Sequence, residues 1–255
     1  AAGVVFYELD EDFGPITITD NTFSDSDAGI RTSGTPGASV EGGTITIDGN
    51  TFTDVDDPAL QPAAGALNLT DSTIDGTEVP LYAVGGNTAD DLTGTAGDDE
   101  LYGNDGGDTL TGGLGDDRVE GGAGDDTINY TVGDGVDTID GGDGNDTLAV
   151  TGTSGDDVID VVLDGGVITT IEGMTPSGID SFTVDGGEGI DTLSYAGTTD
   201  DLIVDLNFGP GPNSGFDSIT GIENVIGGSG NDTLTGSSGV NVLTGGDGND
   251  GLTGG

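Results

Sequence analysis

An aspartate returns at nine-residue intervals through long stretches of this chain, set each time among glycines. The clearest repeats are 112–120 (GGLGDDRVE), 121–129 (GGAGDDTIN), 141–149 (GGDGNDTLA) and 227–235 (GGSGNDTLT), all of the form G-G-x-G-x-D-x-U-x with U apolar. Carboxylates at such a spacing, with backbone carbonyls crowded into glycine turns, offer oxygen ligands to a hard cation. By position the carboxylate candidates are Asp90, Asp99, Asp108, Asp117, Asp126, Asp137, Asp146, Asp157, Asp191, Asp232 and Asp250.

The rest of the composition narrows the chemistry. The chain has 49 acidic residues against two basic ones, Arg31 and Arg118, and a formal charge of −47. Two carboxylates about 4–5 Å apart repel by about 4 kcal/mol at an effective dielectric near 20, so stacked aspartate turns need a counter-ion. A nucleic-acid partner is excluded, because nothing here neutralises a phosphate backbone. Histidine, cysteine and lysine are absent, which removes imidazole or thiolate zinc sites, disulfides, Schiff bases and histidine-dependent triads. Oxygen-only donors point to calcium rather than zinc or copper. No apolar stretch approaches the length of a membrane span, so membrane insertion is not expected. Residues 1–10 lack the basic start of a signal peptide, and the chain reads as a segment of a longer polypeptide.

The element that positions these aspartates follows from the repeat itself. Six residues form a tight turn whose glycines supply positive φ, and three form a short strand whose apolar eighth residue points inward. Two nonapeptides complete a coil, and like turns then stack about 4.8 Å apart. Asp99 is expected to share an ion with Asp117, Asp108 with Asp126, and Asp232 with Asp250. The expected fold is an all-β parallel β-solenoid, with calcium-binding turns over 85–160, a hairpin or irregular insertion at 161–185 around Asp164-Gly165-Gly166, and a second roll over 186–255.

Residues 1–84 carry a different repeat. The segment 16–23 (ITITDNTF) returns at 45–52 (ITIDGNTF) and more weakly at 67–74 (LNLTDSTI). Alternating apolar and threonine positions argue short strands with one buried face, and a period of roughly 22–29 residues suits one coil of a parallel β-helix. This segment resembles the right-handed β-helix family of pectate lyases and alginate epimerases. The resemblance implies an internal ladder of Asn21 and Asn50, with Phe23 and Phe52 in the core.

The nonapeptides resemble the RTX (repeats-in-toxin) family of secreted bacterial proteins. What that resemblance implies is carbonyl ligation by the first four residues of each turn. These are Gly112, Gly113, Leu114 and Gly115; Gly121, Gly122, Ala123 and Gly124; Gly141, Gly142, Asp143 and Gly144; Gly227, Gly228, Ser229 and Gly230; and Gly245, Gly246, Asp247 and Gly248. It also implies type I secretion and an extracellular or cell-surface location. Thr88, Asn104, Ser237 and Asn241 depart from the motif, so sites using those turns are expected to be weak or empty. Stacked pairs amount to roughly six to nine calcium ions.

The expected function is a non-enzymatic, calcium-stiffened structural segment of a secreted exoprotein: a stalk, adhesin, surface-layer or filament component. Partners beyond calcium are further copies of the chain, stacked head to tail, or a cell-surface polysaccharide. The alternative is a non-catalytic calcium-binding module of a polysaccharide-modifying epimerase or lyase whose catalytic coils lie upstream.

Overall fold

The computed structural model describes residues 85, 89–207 and 214–255 in full, and before residue 85 only the backbone of eleven short strands, from Val4–Tyr7 to Tyr82–Val84. Among the described residues every regular element is a β-strand. The chain divides into two compact units, Ala1–Asn129 with Gly133–Asp146, and Tyr130–Val132 with Thr147–Gly255.

In the first unit the early repeats stack in the register their sequences share. Strands Ile16–Thr19, Thr44–Asp48 and Ala66–Thr70 pair in parallel, with Ile16 beside Ile45 and Ile45 beside Leu67. Thr22–Ser24, Thr51–Thr53 and Thr73–Ile74 do the same, with Phe23 beside Phe52 and Phe52 beside Ile74. A third parallel set, Val4–Tyr7, Ile30–Ser33 and Leu60–Gln61, has no visible sequence repeat. Asn21, Asn50 and the side chains of Phe23 and Phe52 lie outside the described residues, as does Thr88.

The nonapeptides of this unit form two facing rows of parallel strands. Asp91–Thr93, Thr109–Thr111 and Thr127–Thr131 make one row, with Leu92, Leu110 and Ile128 in register. Tyr82–Val84, Glu100–Asp105, Arg118–Ala123 and Thr138–Asp143 make the other, with Leu101, Val119 and Ile139 in register. All six of these eighth-position side chains are buried, while the threonines beside them are exposed or half-buried, the period-two alternation of a one-sided sheet. On the outer side Arg118 pairs with Glu120 and sits 5.9 Å from the centre of the Tyr102 ring.

The second unit keeps parallel stacking but widens its coils. Thr147–Thr151, Ser181–Asp185 and Ser218–Thr220 pair in succession, Leu148 beside Phe182 and Val184 beside Ile219. A second row runs Val158–Asp164, Thr192–Ser194, Asn224–Ile226 and Val242–Thr244, and a third runs Ile203–Asp205, Thr233–Thr235 and Gly251–Thr253. Val158–Asp164 also turns back through Gly165 and Gly166, at φ +64° and +79°, into an antiparallel partner, Val167–Ile171. The insertion therefore includes the expected hairpin. Within 161–185, however, Ser181–Asp185 is a stacked strand, because Phe182 and Val184 alternate inward. The extra chain brings its own core: Leu163, Ile168, Ile171, Met174, Tyr195 and Phe216 are buried, and the Tyr195 hydroxyl donates to the Ser214 carbonyl at 2.8 Å.

Candidate metal centre

The stacking of strands brings the sixth-position aspartates into continuous ladders. The backbone N–H of each donates to Oδ1 of the aspartate one coil later: Asp90 to Asp108, Asp99 to Asp117 and Asp108 to Asp126, all at 2.7 Å. Asp117 to Asp137 and Asp126 to Asp146 follow at 2.9 Å, each spanning 20 residues because the eleven-residue variant at 130–140 lengthens that coil. In the second unit the ladder runs Asp157 to Asp191 at 2.8 Å, and Leu202 to Asp232 and Asp232 to Asp250 at 3.0 Å. The three aspartate pairs expected to share ions are thus neighbours in these ladders.

A second, opposed ladder was not visible in the repeat. At the fifth position the upper turn donates to the lower: Asp116 N–H to Asp98 at 3.0 Å, Val136 N–H to Asp116 at 2.9 Å and Asn145 N–H to Asp125 at 3.0 Å. Ile190 to Asp156 and Asn231 to Asp201 repeat the bond in the second unit. An exposed aspartate beside a buried one reads in sequence as mere solvated charge.

The buried ladder is left electrostatically incomplete. Oδ2 of Asp108, Asp117, Asp126 and Asp191 is buried and has no hydrogen-bond partner. A buried carboxylate in that state is costly unless it is protonated or meets a cation. Desolvation accordingly pushes Asp117 up to about 7, and Asp108 and Asp137 up to about 6, with backbone hydrogen bonds from the turn below opposing the rise and neighbouring aspartates adding to it. Asp126 and Asp191 rise for the same first cause.

Glycine creates the space beside those oxygens. A Cβ on Gly103 would collide with both the Gly121 carbonyl oxygen and Asp108 Oδ2, and one on Gly121 with the Gly141 carbonyl oxygen and Asp126 Oδ2. Carboxylate and carbonyl oxygens thus converge from two turns with no donor between them. Among the described residues no three acidic side chains gather as a metal cage, so the remaining ligands must be backbone carbonyls. That donor set, all oxygen and partly main-chain, fits calcium.

Among the expected carbonyl donors, some are already shared. The Gly228 carbonyl accepts the Asp247 N–H at 3.1 Å. The carbonyls of Ala123 and Asp143 accept the amides of Gly106 and Gly124 at 2.7 and 2.8 Å. Each carbonyl has a second lone pair to offer.

Turns with a hydroxyl at position two behave differently. Thr95 Oγ1 donates to Asp99 Oδ2 at 2.9 Å and accepts from Gly97 N–H at 3.2 Å; Thr153 repeats both bonds with Asp157 and Gly155 at 2.9 and 3.1 Å. Ser237 likewise accepts from the Asn241 side-chain amide at 3.0 Å. Asn104 instead adopts φ +75°, the glycine-like conformation, and leaves Asp108 Oδ2 unpartnered as in the double-glycine turns.

A family model of the RTX calcium-binding nonapeptide repeat matches residues 84–119, 102–134, 111–148 and 226–255. These stretches are RTX calcium-binding repeats. The RTX repeat is a calcium-binding structural module typical of secreted proteins, and three of the four unpartnered aspartate oxygens, all but that of Asp191, lie inside the matched residues. No curated protein matches the chain. Among the described residues no helix is long and apolar enough to cross a membrane.

Proposed function

We propose that the protein is a calcium-stiffened structural segment of a secreted exoprotein, without catalytic activity of its own, serving as stalk, adhesin, surface-layer or filament component after type I export. The observation that carries this reading is the row of buried, unpartnered carboxylate oxygens facing glycine-lined gaps. Each double-glycine turn takes an ion between itself and the turn one coil away, and the ion replaces the protonation that burial otherwise favours. Turns closed by Thr95 and Thr153 already supply donors to their aspartates and depend least on the cation. The expected total of roughly six to nine ions then rests on the double-glycine turns first.

Calcium titration of the chain, followed by far-UV CD and by counting bound ions, tests this reading. β-Structure that forms as calcium rises through about 0.1–1 mM supports it, and a signal flat across that range overturns it. The alternative, a module carried by a polysaccharide-modifying enzyme, draws on the parallel stacking of the strands between Ile16 and Ile74 ahead of the roll. Assays on alginate and pectin with the chain attached to and detached from its upstream neighbour separate the two.

A further inference from the structure

Glu223 lies in 221–225 (GIENV), which has no double glycine and falls outside the matched repeats. The structure nevertheless places it where the ladder calls for a sixth-position aspartate. Its Oε2 accepts the Asp191 N–H at 2.9 Å, the bond that Asp191 itself accepts from Asp157. Glu223 N–H and Asn224 N–H both donate to the Asp191 carbonyl, at 3.1 and 2.8 Å, and Thr192 and Asn224 pair in the adjoining strands.

The gap between these two turns has the features of the repeats' own gaps. Asp191 is 0% exposed, and its Oδ2 has no hydrogen-bond partner. At Gly186, the first residue of that turn, a Cβ would collide with the Gly221 carbonyl oxygen and stand 2.8 Å from Asp191 Oδ2. A buried anionic oxygen and a carbonyl oxygen therefore meet beside a carboxylate contributed from the next turn. Glutamate serves here because its extra methylene extends the reach of the carboxylate from a segment that lacks the glycine turn.

We propose that Asp191 and Glu223 form a calcium site between the turns that begin at Gly186 and Gly221, a site the nonapeptide motif does not define. It rests on the calcium reading of the repeats and extends it to a region where the motif has lapsed. The lower end of the same ladder, Asp157, is closed by Thr153, so the ion falls at the upper step.

The test compares the whole chain with its Glu223→Gln and Asp117→Asn variants, counting bound calcium by native mass spectrometry and following amide exchange at residues 186–194 and 112–120. Glu223→Gln is expected to bind one ion fewer and to need about tenfold more calcium to protect 186–194, with 112–120 unchanged. A Glu223→Gln chain with the full complement and an unshifted midpoint overturns the site. In the unmodified chain, protection that depends on calcium at 112–120 but not at 186–194 overturns it as well, without reliance on any variant. A chain in which neither segment responds to calcium overturns the reading of the repeats, and this site with it; loss of an ion in Asp117→Asn tells the two failures apart.

Discussion

The roll before residue 147 and the roll after it carry the same aspartate ladder on different foundations. In the first, ladder steps are 18 or 20 residues, and each turn contributes one buried aliphatic side chain, such as Leu110 or Val119. In the second, the step from Asp157 to Asp191 is 34 residues and that from Leu202 to Asp232 is 30, and the added chain buries Leu163, Met174, Tyr195 and Phe216. The lesson is that ladder geometry is separable from coil length. Where coils are minimal the cation must supply what apolar burial does not; where they are wide, side chains share the task.

Chelation should expose that contrast most strongly. With EGTA in place of calcium, amide protection across 91–143 is expected to vanish, while part of it survives around the hairpin of 158–171 and at Tyr195; hydrogen exchange read by mass spectrometry would break the comparison if both regions lost protection equally. Next come two substitutions of similar cost in opposite rolls. Gly124→Ala places a side chain at φ +139° against the Gly106 carbonyl oxygen and should cost the first roll about 3 kcal/mol. Phe216→Ala should cost the second roll about 3–5 kcal/mol by leaving a cavity. Thermal melts in saturating calcium should show each loss confined to its own roll.

The pH response sharpens the comparison further. In chelator the raised values of Asp108, Asp117 and Asp137, about 6 to 7, mean that the folded turns bind more protons than the unfolded chain between about pH 4 and pH 7. Stability without metal therefore rises as pH falls through that window and is lost above it. In calcium the sign reverses, because ligation needs the deprotonated form, so the calcium midpoint should climb as pH drops from 8 to 5. CD titrations at several pH values check both slopes. The smallest effect expected is that of Thr95→Val, which removes the hydroxyl donated to Asp99 and should cost about 1 kcal/mol, measured at limiting calcium.

Much of this was legible in the repeat. Nine-residue spacing forces Leu92, Leu110 and Ile128 into one row and Asp99 over Asp117, because a parallel sheet keeps equal positions in register. What escaped was whatever the repeat does not mark. The set Val4–Tyr7, Ile30–Ser33 and Leu60–Gln61 is short and shares no motif, since a strand paired through its backbone tolerates almost any side chain. Glu223 escaped because its backbone neighbours, not its own segment, place it in the ladder. Thr95 escaped because only the turn around it brings its hydroxyl to Asp99.

The paired ladders also have a mechanical meaning. At the interface between the turns of 94–102 and 112–120, Asp99 donates upward to Asp117 while Asp116 donates downward to Asp98. Tension that separates two such turns loads both bonds at once, and neither can slide past the other without breaking its counterpart. Because these bonds reach only to the next coil, a stack of this kind yields from its end, one coil per rupture, as a chain of nearly equal links.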